Sequence, residues 1–308
     1  MWLLFAFTSA ALLGFYDVFK KKALSGNDVV VVLTLNTLFC SLLFLPFIVL
    51  SAVGVIGEGS LLYVPVCGWE VHKYIILKAV IVLASWLCGY VAMKNLPLTI
   101  VGPINATRPV MVLLGAIIVF GERLNLYQWI GVLLTIAGYY LLRRSGKKEG
   151  IDFRHNRWIA LAVLAALLGA VSGLYDKFLL APESSGGVGL NRMAVQSYFL
   201  IYQFLMMAVM LLTKPVSQLR SLPSRLNGSM VFWSFLVALF LSFADFVYFY
   251  ALSLPAALIS VVSMIRRSSV VVSFTVGALI FREKNLRAKA FDLLLLLLSL
   301  VFLYLGSK

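Results

Sequence analysis

Apolar residues in this chain do not alternate with polar ones; they come in long, nearly unbroken runs. A helix of about 20 mostly apolar residues matches the thickness of a bilayer's hydrocarbon core. Ten such runs can be read, approximately 2–22, 29–53, 74–93, 96–120, 125–142, 158–181, 193–213, 230–252, 254–281 and 286–306. Each is predicted to be a spanning helix, which makes the expected fold all-α and integral to a membrane. Most connections are short. The exception is the charged, glycine-containing stretch from Arg143 to Asp152, which divides the runs five and five. The expected organisation is a five-helix repeat over 1–142, a linker over 143–157 and a second five-helix repeat over 158–308.

The two halves echo each other. Gly14-Phe-Tyr-Asp17-Val-Phe19 in the first run returns as Gly173-Leu-Tyr-Asp176-Lys-Phe178 in the sixth. Leu96-Pro97 before run four matches Leu254-Pro255 before run nine, and Phe120-Gly-Glu122 after run four matches Phe281-Arg-Glu283 after run nine. Five is odd, so the second half enters the membrane from the opposite side. The repeat is expected to be inverted about an axis in the membrane plane, with a central cavity between the halves, as in many secondary transporters.

Composition agrees with lipid as the main solvent. The chain is 62% hydrophobic and 12% charged, with a mean hydropathy of +1.00, more apolar surface than a soluble core could hide. The formal net charge is +14. In a soluble protein that excess would suggest nucleic acid, but here most cations lie in short loops between apolar runs. Such cations orient helices and meet anionic headgroups, so membrane lipid is an expected partner and nucleic acid is not. The odd-numbered loops carry Lys20, Lys21, Lys22, Lys94, all the linker cations, Lys214, Arg220, Arg225, Arg282, Lys284, Arg287 and Lys289, whereas the opposite face is assigned Lys73, Lys78, Arg123, Lys177, Arg192 and Lys308. The positive-inside rule then puts the odd loops in the cytoplasm and both termini outside, in what is expected to be the cell (inner) membrane. Cys40, Cys67 and Cys88 have no metal-site or pairing spacing, and His72 and His155 stand in loops away from any carboxylate pair. Neither a cofactor nor a metal site is expected, and no nucleophile–base set argues for an enzyme.

Three cations fall where no loop can claim them. Arg108 lies midway along run four, in Asn105-Ala-Thr-Arg108-Pro109, and Arg266 and Arg267 lie midway along run nine. Counted from the shared Leu-Pro, Arg108 and Arg266 occupy equivalent positions. An arginine at that depth costs several kcal/mol and must face an aqueous cavity or a partner. One reading is a structural ion pair with Asp17, Asp176 or Asp245. The other is an anion clamp, because guanidinium offers a planar fork suited to carboxylate or phosphate. Asn105, Tyr248 and Gln203 are the expected polar neighbours of a bound substrate. Asp17 and Asp176, with Tyr16 and Tyr175 beside them, are the candidate gating or coupling residues; the alternative for each aspartate is a helix-end ion pair with Lys20 or Lys177. Asp245 lies deeper and is the candidate to neutralise an arginine. Pro97, Pro103 and Pro109 predict a kinked fourth helix whose freed carbonyls need polar neighbours or a cavity.

These features resemble a known group. Pro109-Val-Met, Val119-Phe-Gly121-Glu122-Arg-Leu-Asn and Trp129-Ile-Gly131 look like the EamA domain of the drug/metabolite transporter superfamily, and ten spans in an inverted repeat fit it. The second half keeps Glu283 but lacks the preceding proline. Its Arg266-Arg267 pair is similar to the substrate-binding basic pair of triose-phosphate and nucleotide-sugar transporters. The resemblance implies a secondary active transporter, an exporter or exchanger, working by alternating access on a small anionic metabolite, phosphorylated or not. A coupling proton or counter-substrate and a monomeric or homodimeric state belong to that expectation. Alternatives are a flippase of an anionic lipid phosphate and a generic drug or amino-acid exporter.

Overall fold

The structure, a computed structural model, describes residues 2–108, 110–112, 125–147, 155–183, 186–213, 226–253, 262, 265–266, 268–281 and 286–306. All regular secondary structure among the described residues is helical, with no strand. The helices are α1 (Trp2–Leu24), α2 (Val29–Ala52), α3 (Trp69–Asn95), α4 (Leu98–Ala106), α5 (Leu126–Lys147), α6 (Arg157–Leu180), α7 (Arg192–Leu212), α8 (Gly228–Ser253), α9 (Ser269–Phe281) and α10 (Leu286–Gly306). Five of these, α2, α3, α6, α7 and α8, are long and apolar enough to cross a membrane within the described residues.

Local chemistry explains where the helices begin. Asp28 caps α2 by accepting from the backbone N–H groups of Val30 and Val31. Asn156 does the same for α6 through Trp158, and Asn191 for α7 through Met193 and Ala194. Each cap supplies an acceptor to donors that have no partner inside the helix. The fourth run is interrupted within its described part. α4 is nine residues long, and a turn at Thr107 follows it. The Thr107 hydroxyl donates to the Ile104 carbonyl at 2.7 Å. Pro109, itself outside the described residues, has no N–H to offer the preceding turn. The break therefore falls where the sequence removes a ladder bond. Run nine is described as a regular helix only from Ser269 onward.

Packing pairs the halves in a regular way. α1 lies along α8 as α3 lies along α6, α2 meets α7, α4 meets α9, and α5 meets α10. The α4–α9 crossing is close because glycine faces the opposite helix on each side. A Cβ on Gly102 would come 2.8 Å from a Val270 methyl, and one on Gly277 would come 2.6 Å from a Leu98 methyl. Small residues at crossings are how membrane helices gain contact without a hydrophobic drive between them. That approach carries the chain segments bearing Arg108 and Arg266 to the middle of the bundle. Outward faces remain apolar: Leu133, Ile136, Val209 and Leu279 are all more than half exposed, an arrangement suited to lipid rather than water.

Candidate functional site

A cavity of about 180 Å³ opens between α1, α3, α4, α6 and α8, and Arg266, Ser269 and Val270 also line it. A single water needs roughly 10–15 Å³ by the same kind of measure, so the space suits a small organic molecule rather than a bare ion. Asn105, Arg108, Tyr16, Asp17, Asp176, Asp245, Tyr248 and Arg266 all line it. The only α7 residue on the wall is Phe199.

Two expected site residues stand elsewhere. Gln203 is fully buried on α7, off the cavity wall, and both its side-chain polar atoms lack a hydrogen-bond partner among the described residues. The Tyr175 hydroxyl instead donates to the Tyr74 carbonyl at 3.3 Å, at the α3–α6 contact. Adjacent helical residues point about 100° apart, so Asp176 faces the cavity and Tyr175 does not. Arg267, Glu122 and Glu283 lie outside the described residues.

The charges on the wall are matched in pairs. Lys20 donates to Asp17 at 2.8 Å, one turn along α1, and sits over the Tyr16 ring at 4.3 Å. Lys78 of α3 pairs with Asp176 of α6. Arg266 pairs with Asp245 of α8 and lies over the Tyr248 ring, 4.1 Å from its centroid. Buried ions are tolerated only when paired and hydrogen-bonded, because the desolvation cost is several kcal/mol per ion.

Two sequence-based assignments are corrected here. Lys78 was expected among the loop cations, yet it is 2% exposed and inside α3. α3 begins at Trp69, so a residue expected near the end of a helix is more than two turns inside it. Asp176 consequently pairs across helices with Lys78, not along α6 with Lys177. The signal that would have found this is arithmetic: a buried aspartate without an upstream cation on its own helix needs one from a neighbour.

Arg108 is different. It forms no ion pair among the described residues. One amino group, Nη2, reaches the Ala165 carbonyl at 3.4 Å, and its Nε is buried with no partner. The guanidinium lies across Gly169 of α6; an added Cβ there would stand 2.6 Å from Cζ. The group is thus held flat against a backbone surface with much of its donor fork unused.

The halves differ at this point for a reason visible in their alignment. Counted back from Leu96-Pro97 and Leu254-Pro255, Tyr90 matches Tyr248, and both line the cavity. By the same count Asp245 matches Leu87. The second half supplies its arginine with a carboxylate, and the first half supplies leucine.

Comparison with known proteins bears on fold and family. A solved crystal structure whose title names no activity has a TM-score of 0.64 to this chain, at 16% identity, covering 99% of this chain and 98% of its own. At that identity the likeness shows the fold alone. No curated protein matches the chain. Residues 1–144 match the EamA-like transporter family. That likeness covers a little under half of the chain, and the long apolar helices of the described residues mark a multi-pass integral membrane protein.

Proposed function

We propose that the protein is a secondary active transporter of a small anionic metabolite, working by alternating access between two inverted five-helix halves, 1–142 and 158–308. The observation that carries the anion is Arg108: a guanidinium on the wall of a small-molecule-sized cavity, with its Nε unbonded and no carboxylate partner among the described residues. A free fork of this kind recognises a carboxylate or phosphate by paired charge-assisted hydrogen bonds. The Arg266-Arg267 pair is the feature that resembles phosphate-binding transporters, but Arg266 is already engaged by Asp245. Arg108 is therefore assigned the anion, with Asn105 and Tyr248 on the same cavity wall. Asp17, Asp176 and Asp245 are assigned gating or coupling, since each holds a cation that movement of the halves would release. The exchange of helix contacts between halves, α1–α8 for α3–α6, supports the inverted repeat. The excess of loop cations supports cytoplasmic odd-numbered loops, both termini outside and an inner-membrane location.

Thermal stabilisation of the purified protein by a panel of carboxylated and phosphorylated metabolites tests the site. A true ligand raises the melting temperature with concentration, by about 2.7 kcal/mol of stability at a hundred times its Kd. Arg108→Gln should abolish that stabilisation while leaving the unliganded melting temperature close to wild type. Arg108→Lys should restore it only in part, because an ammonium lacks the fork. An Arg108→Gln protein that is stabilised normally, and transports normally in liposomes, ends the anion reading.

A further inference from the structure

Within the described residues, seven ionised side chains line the cavity: Asp17, Lys20, Lys78, Arg108, Asp176, Asp245 and Arg266. Three cation–carboxylate pairs cancel. One positive charge is left, on Arg108, and each carboxylate already has its cation. In a cavity walled by protein the occupant that fits best brings the charge that is missing and no other. An uncompensated buried charge costs several kcal/mol, whether it belongs to the protein or to the ligand.

We infer that the cavity selects organic monocarboxylates: one carboxylate on Arg108, no second anionic group and no ammonium. This inference rests on the anion reading above and narrows it. A phosphate monoester carries about −1.5 to −2 charges near neutral pH and would overshoot the single free cation. A zwitterion would bring an ammonium for which no carboxylate is unclaimed. Arg108 rests on α6 at Ala165 and Gly169, and the cavity wall mixes apolar side chains such as Val82, Val101 and Ala162 with the polar groups of Ser85, Tyr90 and Asn105.

The test uses three probes sharing one phenyl body: 3-phenylpropionate, with one negative charge; phenylalanine, which adds an ammonium; and benzylsuccinate, which adds a second carboxylate. Each is titrated calorimetrically into the purified full-length protein at neutral pH. The expected result is 3-phenylpropionate binding at least about tenfold tighter than either of the others, with the preference lost in Arg108→Gln. Asp245→Asn supplies an independent arm. It frees Arg266 and leaves the cavity with two unmatched cations, so benzylsuccinate should become the preferred probe. If benzylsuccinate or phenylalanine binds wild type as tightly as 3-phenylpropionate, and Arg108→Gln removes that binding, monocarboxylate selection is overturned while the anion site stands. An unchanged probe preference in Asp245→Asn also overturns it, whatever becomes of the Arg108 variant. If no probe binds, and Arg108→Gln leaves stabilisation by the metabolite panel intact, both readings fall together.

Discussion

Arg108 owes its position to Gly169 as much as to its own helix. The guanidinium occupies the space a side chain on Gly169 would take, with Nη1 2.6 Å from the site of a Cβ. Gly169→Ala is expected to push the fork off the α6 backbone and its Ala165 contact, without removing any charge. The predicted cost is about 1.5–3 kcal/mol in anion binding, the worth of a hydrogen bond to a charged group, with little change in the unliganded melting temperature. Isothermal titration with whichever anion the stabilisation panel yields would measure it, and unchanged affinity would show that the glycine does not position the arginine. Arg108 itself was legible in the sequence, because a guanidinium in the middle of an apolar run admits few explanations. Gly169 was not: among many glycines in membrane helices, only the tertiary contact marks this one.

At the scale of elements, the α3–α6 contact contains a buried ion pair that periodicity could not reveal. Lys78 and Asp176 are both buried, and Lys78 also lies 4.9 Å from the Phe199 ring centroid. Removing one partner leaves the other charge uncompensated, whereas replacing both with apolar residues of similar size removes the desolvation cost as well. Lys78→Met is therefore expected to destabilise the protein by about 3–5 kcal/mol, and the double variant Lys78→Met with Asp176→Leu to recover most of that loss. Denaturation in detergent, compared across the two single variants and the double, would show it. A fully additive double variant would mean that the pair is not coupled. Helix ends were easier to read: run one against α1, run two against α2 and run ten against α10 agree closely, since long apolar stretches end where caps and charges begin. Run four is interrupted by a turn at Thr107, ahead of Pro109, because proline acts on the hydrogen-bond ladder, which hydropathy does not register.

Over the whole molecule, the proposed inverted arrangement has consequences for topology. An odd number of spans before the linker, with cation-rich odd loops, would place the linker on the cytoplasmic side. A single cysteine introduced at Lys147, at the end of α5, in a background lacking Cys40, Cys67 and Cys88, should resist a membrane-impermeant thiol reagent in intact cells. It should react once the membrane is permeabilised. Ready labelling in intact cells would reverse the proposed orientation while leaving the cavity argument untouched, since a cavity on a pseudo-twofold axis is reached from either face.

The sequence by itself determined that this chain lives in lipid and that it is built of helices. Those properties depend on hydrophobicity and period, which are local and additive along the chain. It also singled out Arg108, Arg266 and the three aspartates, because charge inside an apolar run is rare enough to be read without coordinates. Which cation each aspartate holds was decided only by tertiary structure. Asp17 takes a neighbour on its own helix, Asp176 takes Lys78 from α3, and Asp245 takes Arg266 from a segment next to α9. Pairing across helices depends on which faces meet, and helix faces meet by packing and small-residue contacts that leave no periodic trace. The guanidinium of Arg108, which has no carboxylate among the described residues of the cavity wall and on which the proposed chemistry turns, is the remainder of that pairing and emerges only when those partners are in place.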